Sequence, residues 1–392
     1  MTLRTVGGTS LLIAALCSAC ATPYDPGHEY RPTTSSFEGL GTIIRTQDTG
    51  AALDVFAVHG MCDHGREWAQ RTIDAIARSL NATASYAAPP NDEPLDEIKV
   101  HQARFEVDGR IVNVNAIVWS GLTRRAKGTL CYDQSVKSGS CVGRTDPKPY
   151  EYPWVRADVN AATKNWLLDE CLSDMLVYQG QARLAIVQEM LRALLFARAT
   201  SGRGAGSTSR TITDAAAASK APLVVITESL GSKIVFDSLL YGKMSKDRDV
   251  GVAAAAIAAA LTEVFMAANQ LPALSLADTP ISVRGTSLQP ATEPRFPADP
   301  LGELAVARKS PKLRAIAFSD PNDVLSFTLL PYVERLPTGP NYEVVDVIVS
   351  NADTYFGKIE DPRRAHQEYL ERAEVMRDIV CGRPRAWPCA AK

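Results

Sequence analysis

A mostly parallel β-sheet with helices on both faces, an α/β architecture, is the fold class this sequence predicts, and three observations predict it. Short, largely apolar runs recur at Leu53–Val58, Pro222–Ile226, Leu313–Phe318 and Val344–Val349, with Pro222–Ile226 rich in β-branched residues. They are too short for comfortable helices and read as strands buried on both faces. Stretches of helical periodicity separate them, as crossover helices do in a parallel sheet. His59-Gly60-Met61, Ser229 and the Asp320/Asp323 pair all fall just past such runs, and His366 lies in the segment beyond the last one. Open parallel sheets place reactive groups past their strand C-termini.

The chain has 392 residues, 46% of them hydrophobic, enough for one large domain with insertions or two modest ones. Its net charge of −2 offers no basic surplus, so nucleic acid is not an expected partner. No internal apolar run reaches the length of a membrane span. The N-terminus reads as a targeting segment: Met1–Arg4 carries one positive charge, Leu11–Cys17 is a short apolar core, and Ser18-Ala19-Cys20 follows. This resembles the bacterial lipoprotein signal, with Cys17 where leucine is usual. The resemblance implies that residues 1–20 are a signal peptide and that Cys20 is lipidated. The protein is then expected in the bacterial cell envelope, lipid-anchored, in the outer membrane or periplasm of a Gram-negative cell.

Of eight cysteines, removal of Cys17 and acylation of Cys20 leave six, an even number suited to disulfides in an exported chain. Six cysteines allow fifteen pairings; Cys131–Cys141 and Cys381–Cys389 are the short-range candidates, and Cys62–Cys171 would be what is left. No CxxC pairs mark a zinc site, and neither a metal nor a cofactor is expected.

Taken in order, residues 21–39 hold proline, glycine and serine and read as a tether. Gly41–Thr46 and Leu53–Val58 read as strands, and Glu67–Leu80 as a helix with Trp68, Ile73, Ile76, Ala77 and Leu80 on one side. Ala103–Val107 and Ile111–Trp119 read as a hairpin turning at Asp108-Gly109. A polar, loop-rich insertion is expected over about 121–157, as an excursion that suits a lid. Ala161–Thr200 is helical with a break at Gly180, and Ser201–Lys220 is a linker. After residue 230 come a helix through Ile234, Val235, Leu239 and Leu240, a second over Ala253–Leu261, and a strand at Val264–Ala268. Leu271–Pro300 is rich in proline and reads as irregular. The closing helix is Arg363–Val380, so the single domain runs over 40–392.

The most informative stretch is Ala221–Leu239, in which a buried strand, the corner Thr227-Glu228-Ser229-Leu230-Gly231 and a helix follow at once. A serine at such a corner stands clear of the sheet, and the next N–H points where negative charge develops during attack on a carbonyl. The stretch Val224–Ser232 resembles the strand and "GHSLGG" elbow of the α/β-hydrolase family. Thr227, Glu228 and Ser232 depart from its Gly, His and second Gly. Val58-His59-Gly60-Met61 resembles the family's "HGx" oxyanion loop.

That resemblance implies a serine hydrolase with nucleophile, acid and base in the chain order Ser…Asp…His. Among five histidines (His28, His59, His64, His101 and His366) only His366 follows both Ser229 and the aspartates. The expected site is Ser229 as nucleophile, His366 as base and Asp323 as the acid that orients it, with Asp320 as the alternative acid. The N–H groups of Met61 and Leu230 are the expected oxyanion hole. His64 is expected to cap or pack on the following helix, Glu228 to pack or hydrogen-bond, and Lys233 to be solvated. Cys62 is expected in a disulfide rather than as a nucleophile. The expected activity is cleavage of carboxylic esters, of esterase or lipase type, on small-molecule or lipid substrates at a membrane held through the lipid anchor. The alternative, which Thr227 favours, is a non-catalytic α/β-hydrolase-like binding or scaffold lipoprotein.

Overall fold

The computed structural model describes residues 21–22, 28–87, 95, 97–134, 136–143, 156–201, 211–279, 296–306, 312–336, 342–385 and 389. Cys20 and the predicted signal peptide lie outside the described residues.

The strands are β1 Ala21–Thr22, β2 His28–Arg31, β3 Phe37–Glu38, β4 Ala52–Val58, β5 Ser85–Tyr86, β6 Lys99–Val107, β7 Arg110–Val118, β8 Leu223–Glu228, β9 Leu261–Ala267, β10 Arg314–Ser319, β11 Glu343–Val349, β12 Thr354–Tyr355 and β13 Gly382–Arg383. Nine form one sheet in the order β2-β11-β10-β9-β8-β4-β7-β6-β5. The run from β11 through β7 is parallel throughout, and antiparallel strands occupy both edges. Alternate residues of β8 feed two cores. Leu223 and Val225 join the side chains of one face, Val224 and Ile226 those of the other. This is why the strand is apolar without alternation: both of its faces are dry.

The helices are α1 Leu40–Arg45, α2 Arg66–Ser79, α3 Gly121–Lys127, α4 Asp158–Thr163, α5 Ser173–Gln179, α6 Arg183–Thr200, α7 Ile212–Ala218, α8 Gly231–Lys243, α9 Arg248–Ala260, α10 Leu271–Leu274, α11 Pro300–Ala305, α12 Leu330–Val333, α13 Pro362–Gln367 and α14 Ala373–Cys381. A π-helical stretch, Lys164–Leu172, joins α4 to α5. Helices α6, α8 and α9 cover one sheet face, and α1, α2 and α14 the other. The architecture is therefore α/β with helices on both faces. None of the helices among the described residues is long and apolar enough to cross a membrane.

Several sequence expectations change. Gly41–Thr46 is not a strand. It lies within α1, because Leu40, Ile43 and Ile44 are buried at helical spacing and outweigh the β-propensity of Thr42-Ile43-Ile44. Residues 28–31 of the expected tether are an edge strand on β11. Part of the expected linker forms α7, capped by the Thr211 hydroxyl, which accepts the Asp214 N–H. Strand β9 begins at Leu261, three residues before its expected start. The closing helix is broken into α13, a 3₁₀ turn at Tyr369–Glu371 and α14. The break at Gly180 falls where it is expected, between α5 and α6.

The three disulfides are Cys62–Cys171, Cys131–Cys141 and Cys381–Cys389. Cys62–Cys171 spans 109 residues and ties the loop after β4 to the π-helical stretch. Closing a loop of about 100 residues removes unfolded-state entropy worth roughly 4–5 kcal/mol.

Lys233 is not solvated. It is wholly buried on α8, with its Nζ 2.8 Å from Asp237 and 2.7 Å from Asp278. Arg183 of α6 bonds the same two aspartates at 2.6 Å each, and the Tyr178 hydroxyl donates to Asp237 at 2.5 Å. Two cations and two anions balance inside the core and fix α8, the helix that begins at the serine corner, against α6. Lys233→Met leaves two buried carboxylates sharing one guanidinium. We expect denaturant unfolding to show a loss of about 3–5 kcal/mol, against almost none for the exposed Lys246→Met.

Candidate active site

Ser229 sits at the C-terminal end of β8, in the middle of the sheet, with φ of +52°. A left-handed backbone costs a residue other than glycine roughly 1–2 kcal/mol. Its N–H donates to Ala267 O at 2.8 Å, and its carbonyl accepts the Ser232 N–H at 3.3 Å. The turn aims the side chain off the sheet and starts α8 immediately behind it.

The loop after β4 is pressed onto this corner. A Cβ on Gly60 would lie 2.6 Å from the Ser229 Cβ, and one on Gly231 would lie 2.4 Å from His59 O. Each glycine is thus required by backbone meeting backbone. The two departures from the family's glycines answer one another, since Thr227 Oγ1 lies 2.9 Å from Ser232 Oγ across the turn, with both residues wholly buried. Neither hydroxyl is left unpaired, which is the condition for burying it.

The loop itself is braced from several sides. His59 is wholly buried, stacks on Trp119 with centroids 5.0 Å apart, donates from Nδ1 to Gly60 O at 2.8 Å and accepts the Trp119 N–H at Nε2. Burial holds its pKa well below the ordinary value. His64 bonds Met61 O through Nε2 at 3.0 Å, and burial lowers its pKa to about 4. Both rings are therefore neutral braces at pH 7. Asp174 accepts the Cys62 N–H at 2.8 Å and pairs with buried Lys127 at 3.2 Å. The N–H groups of Met61 and Leu230 have no hydrogen-bond partner among the described residues.

Asp323 follows β10, and His366 lies on α13. His366 Nδ1 is 2.9 Å and 3.0 Å from the two Asp323 oxygens, and both residues are buried. The Tyr369 hydroxyl donates to Asp323 Oδ2 at 3.0 Å and accepts the Asp320 N–H at 2.7 Å. Burial pushes that phenol far above its ordinary pKa, so its proton stays on. Asp320 faces elsewhere and accepts the Asn351 and Asn322 N–H groups at 2.6 and 2.8 Å. It braces the loop, while Asp323 holds the imidazole.

Gln367, the neighbour of His366, donates from Nε2 to Cys62 Sγ at 3.3 Å, so the histidine segment reaches the same loop that packs on Ser229. Ser229 Oγ is itself buried with no hydrogen-bond partner. The structure thus joins Asp323 to His366 and brings the Met61 loop onto Ser229, but it makes no bond between Ser229 and His366.

A cavity of about 700 Å³ opens beside the corner, bordered by His64, Trp68, Arg71, Glu228, Arg372 and Met376. Glu228 accepts the Trp68 indole N–H at 2.7 Å. Burial raises its pKa to about 7, opposed in part by that bond and by His366. Sequence reasoning gave Glu228 only a packing or bonding part, and no local spacing links it to Trp68, 160 residues away. Asp174 and Tyr369 carry no local signal either, since their partners lie 46 to 112 residues away.

The raised pKa has a definite sign in stability. Folded Glu228 holds its proton up to about pH 7 against an ordinary 4.5, so its contribution to stability falls as pH rises through that window. Glu228→Gln keeps an acceptor for Trp68 and removes the loss. We expect the melting temperature of the variant to gain steadily on wild type between pH 4 and pH 8; a constant gap would show that Glu228 ionises normally. Compared with known proteins, the chain matches no family model, no curated protein and no solved structure.

Proposed function

We propose that this protein is a serine hydrolase of α/β-hydrolase type that cleaves carboxylic esters of small molecules or lipids. The observation that carries the reading is the left-handed Ser229 corner, with its buried and unbonded hydroxyl, on the same sheet edge as the buried His366–Asp323 pair.

In this reading Asp323 fixes the proton on His366 Nδ1, which leaves the Nε2 lone pair as the base. Ser229 Oγ attacks the ester carbonyl carbon while Nε2 takes its proton. The tetrahedral oxyanion accepts hydrogen bonds from the Met61 and Leu230 N–H groups, one such donor being worth roughly a hundred- to thousandfold in rate. His366 then returns the proton to the departing alcohol, and water repeats the sequence on the acyl-enzyme. The chemistry requires Ser229 Oγ to move within hydrogen-bond range of Nε2, a contact that often tightens only once substrate is bound. We further propose that Cys20 is lipidated and anchors the enzyme in a bacterial cell envelope. The unbonded Ser229 hydroxyl is also the observation that favours the second reading, a non-catalytic binding or scaffold lipoprotein.

Covalent labelling with a fluorophosphonate separates the two. We expect wild type to label and Ser229→Ala not to; absence of wild-type labelling, or its persistence in the variant, removes Ser229 from any mechanism. On a short-chain aryl ester, Asp323→Asn should lower kcat by about 10³- to 10⁴-fold. Asp320→Asn should cost far less, and the reverse order would reassign the acid.

A further inference from the structure

The loop between β11 and α13 ends in a small, tightly closed turn. Tyr355 and Ile359 bond each other's backbones at 2.7 and 3.2 Å, and Lys358 N–H returns to Tyr355 O at 3.0 Å. At its apex Phe356 and Gly357 both adopt positive φ, +54° and +62°. Phe356 has no need of that conformation for its own sake. The turn holds its ring outward, 68% exposed, beside an equally exposed Ile359 and a half-exposed Tyr355. Lys358, also exposed, completes the tip Tyr355-Phe356-Gly357-Lys358-Ile359. Two aromatic rings, a branched aliphatic side chain and one cation on a rigid turn suit insertion at the boundary between headgroups and acyl chains.

The base of the turn is built into the candidate site. Thr354 and Glu360 are buried, Glu360 Oε2 accepts the Asn322 amide at 2.6 Å, and Asn322 is the neighbour of Asp323. Val324 and Phe327, on the loop after the adjacent strand β10, are exposed in the same way. The N-terminal end of the described chain arrives here as well, since Ala21 and Thr22 pair antiparallel with Tyr355 and Thr354. Cys20 is the next residue upstream.

We infer that the 355–359 tip is a membrane-contact element that seats the catalytic edge of the sheet on a lipid surface. Its occupant is the bilayer itself. The orientation rests on the lipid anchor proposed above, because an acylated Cys20 would tether the chain at the strand that pairs with the tip. The apolar turn then supplies the second contact that fixes which edge faces the lipid. The site would thereby meet its ester substrates at the interface rather than in solution.

The full chain, bound to vesicles of phosphatidylethanolamine and phosphatidylglycerol with acyl chains brominated near the glycerol end, tests this. Phe356→Trp adds one indole at the tip, Ile359→Trp adds one beside it, and Val252→Trp adds one on the exposed face of α9 as control. The added fluorescence is the difference from wild type, which carries five tryptophans. A tip inserted roughly 5–10 Å shows a blue shift and at least about twofold stronger quenching at 356 and 359 than at 252. Equal quenching at all three positions, or no association with vesicles, overturns the proposal. Failure of the anchor reads out separately as an unmodified mass at Cys20, and failure of the hydrolase reading as labelling that survives Ser229→Ala.

Discussion

The candidate site depends on one steric constraint, the pressing of two backbone loops against each other where β4 and β8 end. Ser229 is held in a left-handed conformation that its own side chain disfavours, and the hold comes from its neighbours. Gly60 and Gly231 let the backbones approach to distances at which a methyl group would collide. Behind the corner, the buried Lys233 network fixes α8 to α6. In front of it, Cys62–Cys171 and the Asp174 carboxylate fix the opposing loop to the helices near residue 171. A strained turn persists only when its surroundings over-determine it, and here the bracing comes from both sides.

The two aspartates after β10 show how a short loop points neighbouring carboxylates at different partners. Asp320 accepts backbone N–H groups from its own turn and from Asn351 after β11, so it shapes the loop. Asp323 is turned by that shape toward His366, with Tyr369 bridging the pair. Either residue alone satisfies the order of a catalytic acid in the sequence. The geometry divides the roles by direction: the Asp320 oxygens face the Asn322 and Asn351 N–H groups, whereas Asp323, which also accepts the Leu325 N–H, turns both oxygens toward His366 Nδ1.

The parts of the fold legible in the sequence were those fixed by local pattern. The apolar run Pro222–Ile226 reads as a doubly buried strand, and the structure makes it β8 with Ser229 at its corner. Parity pointed to disulfides and proximity to two of them, while the pairing of Cys62 with Cys171 is fixed by the fold. What was not legible depended on partners distant in the chain. Lys233 and Asp237 at i and i+4 look like an ordinary surface pair, and only Arg183, Asp278 and Tyr178 convert them into a buried one. Ile43-Ile44 suggests a strand until Leu40 is known to be buried beside them. Thr227 read as a defect in the motif because its answering hydroxyl, Ser232, was counted as a second defect.

The histidines around the corner are sorted by environment, and the sorting bears on which of them can do chemistry. Both ring nitrogens of His59 are spent on backbone groups, and it lies too deep to be charged. His64 spends one nitrogen on Met61 O and is also held neutral by burial. Protonating His59 at Nε2 would break its bond from the Trp119 N–H, whereas His64 donates to Met61 O in either state and is kept neutral by desolvation. His366 differs in kind, because a carboxylate faces its Nδ1 and no described residue bonds its Nε2. Glu228, on the cavity side of the same corner, adds a second carboxyl whose charge appears only near pH 7, close enough to His366 to be felt by it. The three rings thus differ in what they bond: His59 and His64 brace the loop against Ser229, while His366 is held through Nδ1 by a carboxylate.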